Sequence, residues 1–420
     1  MSSEHALAQL AVHGGPRLRT DPWPERGLIG PEEKAAVDAM FDQAIATGRA
    51  PGYNGAPEEA YCQAFSAHMG GGYADAVSSG TAGVYTALRA LDLPAFSEVI
   101  VGAINDPGGI MPIALLNCIP VIADTAPGSF STGPAQVEAL ITPLTSAILV
   151  PHIAGEPADI AGIVALARAR GIPVVEDASQ THEATLHGRR IGTFGRIGVF
   201  STMFGKHYCT GGQGGLVYAT DETTYWALRR ASDRGKPFGL PPGSTNSIAS
   251  LNLNLNDLAA VIGLEQLKKL PAVAEARRAI VRGLRAGLAN ARTVSLPEPL
   301  PGAEPSYWFL RVRYHAANAT CDKATFCQAL QAEGLPVMTD YRAMPHTMDW
   351  FVQRRVFGTP GYPWTSPDYH GDRDRVYPCP NAVQAIAEHF VLSIHEGWGP
   401  REIADTLAII DKVETAYAQR

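Results

Sequence analysis

Ile197-Gly198-Val199-Phe200-Ser201-Thr202-Met203-Phe204-Gly205-Lys206-His207-Tyr208-Cys209-Thr210-Gly211-Gly212-Gln213-Gly214-Gly215-Leu216-Val217-Tyr218 is two short apolar runs joined by a loop rich in hydroxyls and glycine. The runs read as buried strands, and the loop carries a single lysine. Most lysines lie on the solvated surface, so one in this setting asks for a reason. A desolvated ammonium gives up its proton readily and becomes an amine able to form a Schiff base. An ordinary surface hairpin is the other reading, and the loop alone does not decide between them.

On either side of this stretch the chain alternates. Apolar runs at 99–104, 120–123, 147–150, 173–175, 199–200 and 216–219 are short, continuous and bounded by turn residues, the pattern of strands buried on both faces. Helical stretches lie between several of them, such as 161–170, so the expected fold class is α/β with a mostly parallel sheet. Ligands in such sheets bind beyond the carboxyl ends of the strands. Ser79-Gly80-Thr81, Asn105-Asp106, Asp177 and Ser201 to Lys206 all follow strand-like runs, and one site would collect them.

Residues 1–30 read as an arm over the surface, 31–270 as a large domain and 271–420 as a smaller α+β domain. Helices are expected at 31–47, 57–69, 273–291, 322–333 and 403–418, and strands at 307–314 and 336–338. The segment 342–376 has no clear period and reads as a loop near the site.

The bulk numbers exclude more than they assign. With 420 residues, 46% hydrophobic and 18% charged, the chain has the composition of a globular protein of two domains. A net charge of −7 argues against a nucleic-acid surface, and no stretch approaches the roughly 20 apolar residues of a membrane span. Six cysteines show neither CxxC pairing nor metal-ligand spacing, so no metal site is expected, and free thiols in a reducing cytoplasm are the expectation.

Val174-Val175-Glu176-Asp177 puts a carboxylate at the end of a buried strand, either as a cap or as the partner of a protonated ring nitrogen. Ser79-Gly80-Thr81 opens a helix, where free N–H groups suit a phosphate or are simply capped. In chain order these supply a phosphate cradle, a ring-nitrogen partner and a reactive amine. Together they favour a pyridoxal phosphate enzyme.

At this point the chain resembles the DegT/DnrJ/EryC1/StrS sugar-aminotransferase family of the aspartate-aminotransferase-like fold (fold type I), over about 23–413. Its tail, Cys379-Pro380-Asn381 with His395, is most similar to the branch of inosose aminotransferases and 3-amino-5-hydroxybenzoate synthase. The resemblance implies a seven-stranded sheet and a phosphate-binding turn at Gly80, Thr81 and Ala82. It puts Asp177 on the pyridine nitrogen, Gln180 near the ring hydroxyl, Ser201 on phosphate and Lys206 as the Schiff-base lysine. Asn252 matches an asparagine that reaches the phosphate of a neighbouring subunit, which implies a homodimer. The implied reaction is transfer of an amino group from glutamine or glutamate to a ketone, a keto-cyclitol or keto-sugar, through pyridoxal and pyridoxamine phosphate. Tyr53, His182, Tyr341, Arg342 and His395 are the side chains read as lining the acceptor pocket, His182 and Tyr341 foremost.

Three departures stand out. Asp106 occupies the position where the family sets an aromatic or flat contact against the cofactor ring. Asn254 replaces an arginine. Gly212-Gln213-Gly214-Gly215 replaces a Gly-Glu-Gly-Gly run and lies one residue further from the lysine. Counting forward from Ser201 gives Lys206, whereas counting back from Gln213 gives His207. The second count leaves open a sugar dehydratase that moves protons with His207, and the missing ring contact leaves open a non-catalytic relative.

Overall fold

The computed structural model describes residues 3–341 and 343–419. Seven strands form the main sheet: β1 (Tyr73–Val77), β2 (Glu98–Gly102), β3 (Ile119–Ala123), β4 (Thr145–Pro151), β5 (Val174–Asp177), β6 (Ile197–Ser201) and β7 (Gly215–Ala219). Across the sheet they run β1-β7-β6-β5-β4-β2-β3, and the pairs from β6 through to β3 are parallel. β7 alone is reversed, antiparallel to both of its neighbours.

The apolar runs are continuous because both faces of this sheet are covered. Ile100, Ile148, Val150, Phe200 and Leu216 point into one core. Val99, Val101, Leu149, Val199 and Val217 point into another on the opposite face. Alternate residues along each strand thus bury on opposite sides, and neither side needs polar residues.

β1 is the strand the apolar runs do not announce, because Asp75 sits in the middle of it. That buried carboxylate is paired: Arg229 Nε lies 3.2 Å from its Oδ1, and Ser232 Oγ donates to its Oδ2 at 2.6 Å. Glu58 nearby is worse served. Its Oε2 accepts from Asn54 N, its Oε1 has no hydrogen-bond partner among the described residues, and burial together with Asp75 pushes its carboxyl up to about 8. A carboxyl whose folded pKa is raised binds more protons folded than unfolded, so it lowers stability as pH climbs from about 4.5 to about 8. Glu58→Gln is expected to flatten that decline in urea melts taken across this range. Identical slopes for the two proteins would refute it.

A second, four-stranded antiparallel sheet (Val294–Ser295, Leu310–Tyr314, His389–Leu392 and Val337–Met338, in that order) has its own core around Phe326, Phe390 and Ile409. The arm at 1–30 does more than lie over the surface. Leu10 is fully buried in this second core, and Arg19 bonds Asp405 at 2.6 Å and Glu402 at 3.2 Å.

Two further expectations are corrected. One helix runs Asp257–Gly287, starting well before the expected 273, and crosses the expected boundary at 270/271 with Pro271 inside it. Proline reads as a breaker, but packing on both sides holds the helix together here. The segment 343–376 begins at the site, where Asn105 N donates to Ala343 O at 2.8 Å. It then leaves it, because Tyr369 OH bonds Glu98 at 2.8 Å, and Glu98 opens β2 at the far end of the sheet. Among the described residues no helix is long and apolar enough to cross a membrane.

Candidate active site

The carboxyl ends of β1, β2, β4, β5 and β6 open on one cavity of about 260 Å³. Ser79, Gly80, Thr81, Asp106, Asp177, Gln180, Ser201 and Lys206 line it, so the strand-end residues singled out by sequence converge on one place.

At one end lies the start of the Gly80–Ala90 helix. Ser79 is extended (φ −168°) and its Oγ accepts from Ala82 N at 3.0 Å, which turns the chain into the helix and spends the Ala82 amide on the cap. The first amides, those of Gly80 and Thr81, sit at the cavity wall, where a helix N-terminus favours an anion. A Cβ on Gly80 would lie 2.7 Å from Ser201 Cβ, so only glycine lets β6 approach this closely. The Ser79 turn and Ser201 together make a small cradle lined by hydroxyls and amides.

Asp177 closes β5. Ser179 N donates to its Oδ1 at 3.0 Å, and burial pushes its carboxyl up from the usual carboxylate range against that bond and the charge of Lys206. Lys206 is 7% exposed, and burial draws its ammonium down to about 8 against the pull of Asp177 and Asp106. A site that keeps an amine close to its free form near neutral pH suits a nucleophile or a base.

Backbone bonds hold the lysine loop across the β6–β7 turn: Thr202 N to Gly214 O at 2.8 Å, Phe204 N to Gly212 O at 2.9 Å and Lys206 N to Met203 O at 2.9 Å. A Cβ on Gly214 would lie 2.1 Å from Thr210 Oγ1. Gln213 also lines the cavity. His207 does not. Its ring is fully buried, bonds Ser306 O through Nε2 at 3.2 Å, and packs against His182.

His182 likewise lies behind the wall and not in the cavity, its Nε2 2.7 Å from Ser201 O, and burial draws its imidazole down to about 4. The structure thus gives both histidines packing contacts in place of the expected substrate contacts. Tyr341 reaches the site indirectly, its OH accepting from Gln180 Nε2 at 2.9 Å, while Gln180 Oε1 accepts from Ala154 N at 3.0 Å. Ala82 contributes only its capped amide. Asn252 is exposed and outside this chain's own cavity, as is Tyr53, which accepts from Arg234 at 2.8 Å. His395 bonds Pro24 O at 2.9 Å away from the site. Arg342 lies outside the described residues.

Asn105, expected here but given no role, lines the cavity together with two residues that the sequence does not single out, His152 and Trp308. Asn105 is 2% exposed, and its Nδ2 has no hydrogen-bond partner among the described residues. Gly109 leaves room for that amide, since a Cβ there would lie 2.5 Å from it. His152 comes directly after β4, much as Asp177 closes β5, so the strand-end rule applies to it equally. Its Nδ1 accepts from Ala158 N at 3.0 Å, leaving the proton on Nε2, 3.4 Å from Glu176. Trp308 comes from the second sheet's side of the chain, and its ring centroid is 3.5 Å from Lys206 Nζ. A buried donor left over, a phosphate-sized cradle, a carboxylate and a reactive lysine on one wall fit a phosphorylated aromatic aldehyde, with polar atoms to spare for its ring substituents.

Comparison with known proteins agrees with this chemistry. The DegT/DnrJ/EryC1/StrS aminotransferase family matches residues 31–405. The L-glutamine:2-deoxy-scyllo-inosose aminotransferase of Streptomyces fradiae is 33% identical over 286 residues, 65% of this chain and 66% of that one. The match therefore spans just under two thirds of that relative. The aminotransferase TlmJ of Streptoalloteichus hindustanus superposes with a TM-score of 0.75 at 26% identity, covering 91% of this chain and 95% of its own. The aminotransferase from Psychrobacter cryohalolentis reaches a TM-score of 0.80 at 24% identity, covering 94% and 98%, a likeness of fold.

Proposed function

The chain belongs to the DegT/DnrJ/EryC1/StrS aminotransferase family, and from that premise we propose that it moves an amino group from glutamine or glutamate to a keto-cyclitol or keto-sugar, using pyridoxal phosphate. The observation that carries this reading is the single cavity shared by Lys206, Asp177 and the Gly80–Ala90 helix start.

Lys206, Asp177, Ser79, Thr81, Ser201 and Gln180 would hold the cofactor. When bound, it supplies an electron sink for charge developing at the reacting carbon. Lys206 in its amine form takes a proton at Nζ from that carbon and returns it on the far side of the transfer. Asp177 presents a buried carboxylate that keeps a ring nitrogen protonated. The amides of Gly80 and Thr81 at the helix start would receive the anion, which leaves Lys206 free for chemistry. Gln180, held by Ala154 and Tyr341, keeps one orientation. The contact of His207 with Ser306, behind the wall, favours Lys206 over His207 as the reactive residue.

The test is spectroscopic. Purified protein given pyridoxal phosphate should turn yellow and lose that band on adding glutamine or glutamate. A panel of keto-cyclitols and keto-sugars should then restore it. Failure to retain the cofactor at saturation sinks the proposal.

Asn252, exposed and accepting at Oδ1 from Asn254 Nδ2 at 2.5 Å, is proposed to complete the site of a second copy in a homodimer. Lys206→Ala and Asn252→Ala proteins, each impaired alone, should recover up to about a quarter of native activity when mixed and reassociated, because mixed dimers then hold one intact site. No recovery would sink the shared site. The unpaired cysteines among the described residues suit a reducing cytoplasm, which is part of the same proposal.

A further inference from the structure

Trp308 lines the cavity, yet the reading above gives it no task. Its placement is over-determined. Trp308 N donates to Ala154 O and Ser306 N to Gly155 O, both at 2.9 Å, and Arg277 Nη1 donates to the carbonyls of Tyr307 and Trp308, also at 2.9 Å. The facing segments include two non-glycine residues in left-handed backbone, Ala154 (φ 64°) and Tyr307 (φ 49°). Between them lies Gly155 (φ 82°), where a Cβ would sit 2.4 Å from Tyr307 N. Such conformations persist where the surroundings enforce them, and they gather at functional sites.

These contacts fix the indole itself. Trp308 Nε1 donates to Gly205 O at 2.7 Å, so the ring is locked against the peptide just before Lys206. Its face lies 3.5 Å, centroid to nitrogen, from Lys206 Nζ.

The chemistry of the site gives this contact a purpose. A lysine that carries a proton between two positions spends part of its cycle as an ammonium, here with its charge buried. Asp177 at the end of β5 and Asp106 in the turn after β2 set negative charge against it, His182 lies behind the cavity wall, and His152 also lines the cavity. A carboxylate in direct contact would stabilise the ammonium but compete for its proton. An aromatic face attracts the positive charge through its quadrupole and has no lone pair with which to take the proton.

We propose that Trp308 is a positioning residue whose ring face holds the released ammonium of Lys206 beside the reacting carbon between taking a proton and returning it. The proposal rests on the reading of Lys206 as the lysine that carries the cofactor.

The full-length protein freed of cofactor tests it without turnover. Competitive labelling with acetic anhydride across pH, read by peptide mass, gives the midpoint at which Lys206 becomes reactive. Replacing tryptophan globally by 5-fluoro- and then trifluorotryptophan weakens the ring's attraction for a cation while keeping its shape. The Lys206 midpoint should fall stepwise, by roughly 0.4–1.5 pH units in all, the size of a cation–π contact. In a Trp308→Phe background fluorotryptophan should no longer move it. A midpoint that stays put or rises with fluorination overturns the proposal, as does a shift that persists without Trp308. Borohydride fixation of pyridoxal phosphate on Lys206 tests the underlying reading separately. Fixation with an unmoved midpoint rejects only the role of Trp308, whereas a falling midpoint without fixation rejects only the cofactor reading.

Discussion

Lys206→Ala is expected to stop transamination, with a loss of about 10⁴-fold or more, because attachment of the cofactor and transfer of the proton both depend on one nitrogen. The fold should survive, since alanine removes a buried ammonium and its desolvation cost without opening a backbone bond. Borohydride should fix cofactor onto the native chain at the peptide holding Lys206 and nowhere on the variant. A variant that keeps its rate, or a native adduct at another residue, would reject the assignment. The pH dependence follows from burial. The free amine is the reactive form, and the ammonium of Lys206 is drawn down to about 8. Uptake of pyridoxal phosphate by cofactor-free protein should therefore speed up as pH rises towards about 8 and level off above it.

Asp177→Asn ranks next. The substitution keeps the shape and the bond from Ser179 N (3.0 Å), and removes only the charge. Losing one preorganised electrostatic partner typically costs about 10²–10³-fold in rate. The expected result is a drop of that size with cofactor still bound and Lys206 still fixable by borohydride. An Asp177→Asn protein at full rate would mean that the carboxylate is only the cap of its own turn.

Why were these two residues legible in the sequence while others were not? Asp177 closes a buried strand and Lys206 stands in the loop that leaves one, and a doubly covered sheet makes those ends visible as breaks in apolar runs. Periodicity locates such breaks, and topology sends all of them to one rim. Asn105 was visible for the same reason. That its amide would be the one left unpartnered depends on Gly109 packing beneath it, which no local pattern encodes. His182 illustrates the reverse. It follows Asp177 closely in sequence, but its ring turns behind β6 to Ser201 O, and side-chain direction after a strand end is settled by packing. Trp308 lies within the strand expected at 307–314, but the strand starts only at Leu310, and nothing local says that the residues before it reach across to the lysine loop. β1 was hidden by Asp75, whose partners Arg229 and Ser232 lie more than a hundred residues later in the chain.

The Asp257–Gly287 helix carries a mechanical consequence. Its first half sends Ala260, Leu267 and Leu270 into the core beneath the seven-stranded sheet, and its second half sends Ile280, Val281 and Leu284 into the core of the smaller one. A rod of 31 residues, about 46 Å long, is thus riveted at both ends. The two cores cannot swing as bodies on a flexible strap. Any breathing between them must bend the rod, and its soft point is Pro271, whose ring removes the bond to the Leu267 carbonyl. Severing the chain at 270/271 would strip an apolar face from both cores at once, so neither fragment should stand alone.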